Sequence, residues 1–153
     1  MMIKPLLLFL HIVAVVVWVG GMFFAYLCLR PVAAATLEPP QRLTLWAGVL
    51  GRFFPWVWLA VALILGSGLT IIAGVGGHMP LHWHLMLTLG IIMMMIFAHL
   101  FFSPYRKLCR FVAAADWPRA AAALNQIRKM VGVNLVLGLS TVAIATLGAY
   151  FSR

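Results

Sequence analysis

The chain has 153 residues, of which 65% are hydrophobic and only 8% are charged. A soluble domain is nearer half apolar and a quarter charged, so this composition predicts one integral membrane domain covering residues 1–153. The net charge of +9 does not indicate nucleic-acid binding, because the basic residues lie between apolar runs and form no nucleic-acid-binding motif.

The first predicted span covers residues 5–29 and holds no acid, no Lys or Arg, and a single histidine, His11. A helix of this length crosses about 30 Å of hydrocarbon. An unpartnered imidazole is costly there, which makes His11 a functional-site hypothesis. Trp18 and Met22 follow at steps of seven and eleven residues. Both lie within about 20° of His11 on the helix surface, so one face presents all three side chains.

Three further spans are predicted at about residues 53–75, 81–102 and 130–150. The second carries a Gly-Ser-Gly run at 66–68, where small side chains allow another helix to approach closely. A helix leading into the fourth is predicted to begin just after Asp116, which is a good N-cap. The predicted fold class is therefore all-α, an antiparallel four-helix membrane bundle.

Lys and Arg are distributed unequally between the two ends of this bundle. Lys4 and Arg153 alone belong to the end that carries the termini. The positive-inside rule then predicts a bacterial-type inner-membrane protein with both termini outside and the basic loops in the cytoplasm. The residues of those basic loops are Arg30, Arg42, Arg52, Arg106, Lys107, Arg110, Arg119, Arg128 and Lys129.

A second set of metal-ligand side chains lies in the third span, which runs in the same direction as the first. His84 stands near its start, at a depth that matches His11 to within about one helical turn. Met95 follows His84 by eleven residues, as Met22 follows His11, and that step returns nearly to the same helix face. His99 lies one turn further. Imidazole and thioether groups suit copper, or the iron of a haem.

Each of these side chains also has an ordinary role. The methionines can pack, His82 can belong to an interfacial aromatic belt, and His99 can bond to Asn134 or a carbonyl on another helix. His82 and His84 point about 200° apart, so only one can face the bundle, and the shared stripe favours His84. For His11 the candidate partners are His84, a hydroxyl, a backbone group or a metal.

Hydrolytic chemistry has no support in this sequence. The only acids, Glu38 and Asp116, lie in predicted loops, so no carboxylate in the membrane can carry a proton or bind a hard cation. The chain contains no HExxH, CxxC or glycine-rich phosphate motif. Its two cysteines are too few for a disulfide scaffold.

The letters LH at residues 10–11 and WVGG at 18–21, in the first of four spans, resemble the copper-resistance protein D (CopD) family. They are also similar to the related HemJ-type membrane proteins, which act as protoporphyrinogen IX oxidases and bind b-type haem. HemJ-type proteins pair the first-span histidine with a lysine shortly after a Trp in the third span. Here Trp83 is followed by His84 and no lysine. The CopD resemblance implies copper handling.

The leading hypothesis is a b-type haem between the first and third spans, with His11 and His84 as axial ligands, Trp18 beside the macrocycle and His99 further in. Such a protein would transfer electrons or act as a haem-dependent oxidoreductase on a membrane-soluble or tetrapyrrole substrate. The alternative is copper binding or transport, and a third reading is an accessory subunit without a cofactor. A homo-oligomer is compatible with all three. The predicted ligands for copper are His11, His84, Met22, Met95 and His99.

Overall fold

Every regular element in the described part of the chain is a helix. The computed structural model describes residues 3–74 and 79–151, without the side chains of residues 149 and 151. The predicted end of the second span, Val75, and the loop residue His78 lie outside these ranges. The elements in chain order are α1 (Ile3–Phe23), a π-helical segment π1 (Phe24–Leu29), α2 (Arg30–Thr36), α3 (Pro39–Ala73), α4 (Leu81–Leu100), a second π-helical segment π2 (Phe101–Tyr105), α5 (Arg106–Ala113) and α6 (Trp117–Phe151).

These elements form four long rods, because π1 joins α1 to α2 and π2 joins α4 to α5 without a break. Each rod is long and apolar enough to cross a membrane. The prediction of an all-α membrane bundle is therefore confirmed, and the chain is a multi-pass membrane protein. The rods are longer than the predicted spans, because their ends continue as helix through the polar loop sequences.

The two π-helical segments lie where proline interrupts the α-helical bonding pattern. Pro31 stands in the first turn of α2, directly after π1, and Pro104 lies inside π2. Proline has no N–H and its ring clashes with the carbonyl four residues earlier, so a wider turn relieves the conflict while the helix continues.

The bundle is built from two closely packed helix pairs, α1 on α3 and α4 on α6. Its centre is aromatic. The Phe97 ring lies 6.0 Å from Trp18, 5.4 Å from Phe54 and 5.0 Å from Trp58, all in edge-to-face arrangements. Such edge-to-face pairs are favourable at these distances. The aromatic rings of Trp18 and Phe97 therefore fill the space between α1 and α4, the two helices that carry His11 and His84.

The start of α6 is fixed by Asp116, as predicted. The backbone N–H of Arg119 donates to Asp116 Oδ1 at 3.2 Å, which caps the helix that begins at Trp117. Arg119 Nε also lies 3.3 Å from Asp116 Oδ2. One of the two acids of the chain is thus engaged locally at a helix end.

Candidate functional site

His11 is half-buried on α1 and bonds to α3. Its Nδ1 lies 2.9 Å from Oγ of Ser67. A Cβ added to the neighbouring Gly68 would lie 3.4 Å from His11 Cε1, so glycine at this position gives the imidazole room beside the α3 backbone. Among the partners considered for His11, the structure therefore provides a hydroxyl.

The hydrogen bonds of Ser67 favour a hydrogen on Nδ1 of His11. The Ser67 hydroxyl donates to the carbonyl oxygen of Leu63, one turn earlier on α3. With its hydrogen used there, Ser67 Oγ accepts from the Nδ1–H of His11. In the neutral ring the lone pair is then on Nε2. A histidine that donates from one nitrogen to a fixed acceptor is oriented as metal-binding histidines usually are.

The two histidines at the start of α4 face opposite sides, and it is His82 that lies toward the bundle. His82 is half-buried, and a Cβ added to Gly148 of α6 would lie 2.7 Å from the Cβ of His82. His84 is exposed, in contrast to the orientation that the stripe argument favoured. Because α1 packs chiefly on α3 and α4 on α6, matched depth does not make His11 and His84 neighbours.

The remaining predicted ligands separate into buried and exposed groups. Trp18 and Met22 are buried on α1, with 3% and 4% of their surface exposed. Met95 is 59% exposed and His99 is also on the outside of α4. The structure thus brings Trp18 and Met22 into the core with His11 at its edge, and it leaves Met95, His84 and His99 on an outer face.

Asn134 on α6 is the most buried polar side chain near these groups, with 2% of its surface exposed. Its Nδ2 donates to the backbone carbonyl of Met93 at 3.2 Å, while Oδ1 has no partner. Its amide donor is therefore used by the α4 backbone rather than by His99, for which it had been a candidate partner.

A cavity of about 40 Å³ extends from the core toward the basic end of the bundle. Most of its wall is apolar and comes from α1, α3, α4 and α6. This volume can hold water or a single ion, since a water needs only about 10–15 Å³ measured in this way. It is far too small for a porphyrin. The polar residues in its wall, together with Met22, are Tyr26, Arg30, Trp46, Arg128 and Asn134.

The cluster expected for a metal or a haem is not assembled within the described residues. No group of three or more His, Cys, Asp or Glu side chains there lies close enough to hold a metal ion. The aromatic rings of Trp18 and Phe97 lie between α1 and α4, deeper in the bundle than His11 and His84. The bis-histidine haem hypothesis stays a prediction, and the exposure of His84 does not support it.

The sequence analysis predicted neither the hydrogen bond between Ser67 and His11 nor the burial of Trp46. Ser67 belonged to a small-residue run that predicted close helix packing, and its hydroxyl was not assigned to His11. Trp46 lies before the predicted second span, so no burial was expected for it, yet only 5% of its surface is exposed. The available signal was a side chain with a hydroxyl or an indole N–H on the apolar face of an extended α3, which predicts a buried polar group there.

Comparison with known proteins gives one match. A family model described as copper resistance protein D, CopD, matches residues 47–147, about two-thirds of the chain. This region includes Ser67, His84, Met95 and His99, whereas His11 precedes it. No curated protein and no solved structure matches the chain.

Proposed function

This chain belongs to the copper resistance protein D (CopD) family, and we propose that it binds copper within the membrane through His11. Membership of this family is the single observation that carries copper as the ligand. The chemistry of the spans agrees, because they offer imidazole and thioether groups and no carboxylate. In this proposal copper is the substrate or cargo of the protein and not a resident cofactor.

His11 is the residue best suited to contact the ion. Its Nδ1–H is held by Ser67, so Nε2 presents a lone pair in a fixed direction. An acceptor on the second nitrogen typically orients a histidine ligand and raises its basicity. The position of His11 between α1 and α3 also keeps it away from the basic end of the bundle, where a cation would be repelled.

Met22 is proposed as a second, separate contact. It lies eleven residues beyond His11, which is about 16 Å along a helix, so one ion cannot touch both side chains. Its buried thioether lines the cavity and suits Cu(I), the softer oxidation state. His11 and Met22 would therefore act one after the other.

His84, Met95 and His99 are proposed as copper ligands only in an assembly that covers α4. All three are exposed in the single chain. A second copy of the protein against this face could bring them to an ion. Copper binding at His11 does not require that step.

We further propose that the basic loops face the cytoplasm of a bacterial-type cell, which puts His11 in the outer half of the inner membrane. A reporter that is active only in the periplasm should be active when fused after Arg153. The same reporter inserted beside Arg110 should be inactive. Activity only from the second fusion would reverse the orientation.

Copper titration of the purified protein tests the proposed site. Wild type should bind Cu(I) in competition with a chromophoric chelator, and His11→Ala should weaken binding at least about tenfold, because a fixed ligand is lost. Met22→Leu should reduce the number of ions bound. His82→Ala is the matched control, since it removes a histidine to which no copper contact is assigned and should leave binding unchanged.

The absorbance spectrum of the same samples distinguishes copper from haem. The proposal expects no Soret band. A Soret band that disappears in His11→Ala would contradict it and favour the haem-dependent oxidoreductase. Equal copper binding by wild type and His11→Ala would also contradict the assignment of His11.

A further inference from the structure

Three arginines differ from all other described basic residues in their burial. Arg30, Arg42 and Arg128 are half-buried, whereas every other described Lys and Arg is exposed. The positive-inside rule accounts for basic residues at this end of the bundle, but it does not account for burying them. Burial of a guanidinium requires a partner.

These arginines come from three different helices and converge. Arg30 begins α2, Arg42 lies in the first turns of α3, and Arg128 lies in α6. Arg30 and Arg128 line the same cavity, and Arg42 lies close enough for its charge to act on Arg128. Like charges near one another repel, and an anion among them relieves that repulsion.

Within the part of the chain that the structure describes, no carboxylate pairs with these arginines. The sequence has two acids, and the carboxylate of Asp116 is held by Arg119. Glu38 is exposed at the start of α3, and within the described residues it forms no ion pair with any of the three arginines. Arg30 does lie over the Tyr26 ring, 5.0 Å from its centre, which satisfies the face of one guanidinium but not its N–H groups.

Two hydrogen-bond donors in the same place also lack partners. The indole Nε1 of Trp46 and the Nε of Arg128 are buried without an acceptor, and both residues line the cavity. Trp46 is 5% exposed, so water from the bulk does not reach its N–H freely. Converging donors and uncompensated positive charge together describe a site for an anionic acceptor.

We propose that this basic pocket, formed by Arg30, Arg42, Trp46 and Arg128, binds a phosphate group. A phosphate carries several acceptor oxygens, matches the planar fork of arginine and neutralises its charge. Basic pockets between membrane helices on the cytoplasmic side are a known form of phospholipid headgroup site. The phosphate belongs either to an anionic phospholipid or to a free phosphate compound, and both present the same chemistry.

The basic pocket is separate from the copper contact proposed at His11, whereas Met22 lines the same cavity as Arg30 and Arg128. Because His11 does not line that cavity, loss of phosphate binding should leave its copper affinity unchanged. Conversely, His11→Ala should not alter phosphate binding. The two proposals can therefore fail separately.

Two parallel measurements on the full chain identify the source of the phosphate. In the first, nanodiscs of phosphatidylcholine are compared with nanodiscs that contain phosphatidylglycerol, and the thermal unfolding midpoint and the lipids retained in native mass spectrometry are recorded. In the second, inorganic phosphate is titrated against chloride of equal ionic strength in detergent. We expect a higher unfolding midpoint in at least one arm, and retained phosphatidylglycerol if the lipid is the source.

Matched variants connect the effect to the pocket. Arg128→Gln should weaken the binding about tenfold or more, because a charge-assisted bond is lost. Lys129→Gln removes the same charge from the next, exposed residue and should have little effect. Trp46→Phe keeps the ring, removes the N–H and should weaken binding less than Arg128→Gln. Its control is Trp56→Phe, on an exposed tryptophan.

Several results would overturn the proposal. The pocket is not a phosphate site if neither arm stabilises the wild type, or if Lys129→Gln and Arg128→Gln lose the effect equally, since general surface charge would then explain it. If Arg128→Gln fails to fold, Trp46→Phe and Arg42→Gln decide, with exposed Arg52→Gln as the control for the latter. Unchanged phosphate binding in both would refute the pocket.

Discussion

The two ends of the bundle differ in how completely their buried polar groups are hydrogen-bonded. Around His11 the imidazole, the Ser67 hydroxyl and a backbone carbonyl form a chain in which each hydrogen has an acceptor. In the basic pocket and along its cavity, the Nε1–H of Trp46, the Nε–H of Arg128 and the Oδ1 of Asn134 have no hydrogen-bond partner. The first region is complete within the chain except for one nitrogen lone pair. The second is incomplete without a molecule from outside.

This difference bears on which residues indicate a site. A histidine in a membrane span suggests a site because burying an unpaired imidazole is costly, yet here the hydrogen bond to Ser67 reduces that cost. Tryptophan and arginine near a membrane boundary do not by themselves indicate a site, because the interfacial aromatic belt and the positive-inside rule explain their presence there. The buried donors without acceptors nevertheless belong to a tryptophan and an arginine of this kind. They become apparent only when the packing of three helices is known.

Among the substitutions that test this comparison, Ser67→Ala is expected to have the largest effect. Removing the acceptor leaves His11 Nδ1–H unpaired and its ring free to turn, so Cu(I) affinity should fall about tenfold to 100-fold, the range seen for lost outer-shell partners. Competition titration measures it. Ser140→Ala, at an exposed serine in the same membrane, is the control. An affinity equal to that of wild type would show that Ser67 does not orient the ligand.

A smaller effect is expected from Asn134→Leu, in the wall of the cavity that Arg30 and Arg128 also line. The change removes a buried oxygen that has no partner together with one bond to the Met93 carbonyl, and the two losses oppose each other. The unfolding free energy in detergent should therefore change by less than about 1 kcal/mol. A loss of several kcal/mol would mean that Asn134 Oδ1 is bonded, for example to a water in the cavity.

The fold was predictable because hydropathy alone identifies four spans, and continuous apolar runs of this length cross a membrane as helices. The helical lead into the fourth span was also predictable from Asp116, and Arg128 lies within it. The continuations of the first and third spans through π1 and π2 into α2 and α5 were not, because the sequences there are polar and contain proline. The π-helical segments leave only a weak trace in the sequence, Pro31 and Pro104. Proline there predicts an interruption but not its form.

The candidate site was predictable in part. His11 was identified from its environment, and its facing residues Trp18 and Met22 are indeed buried. The step to His84 rested on depth and helix direction, which do not determine which helices are neighbours. The ring of Phe97 occupies the centre instead, and that depends on pairwise packing that a single sequence does not encode in any local pattern.

The two π-helical segments also occupy matching places in the two halves of the bundle. Each follows a helix of similar length, 21 residues in α1 and 20 in α4. Each is followed by a short helix, α2 or α5, and then by a helix of 35 residues, α3 or α6. Alignment of the halves on π1 and π2 pairs His11 with Thr88 and Met22 with His99. The two halves therefore share this order of helices but not their candidate ligands, so a histidine in one half does not predict a histidine at the matching position of the other.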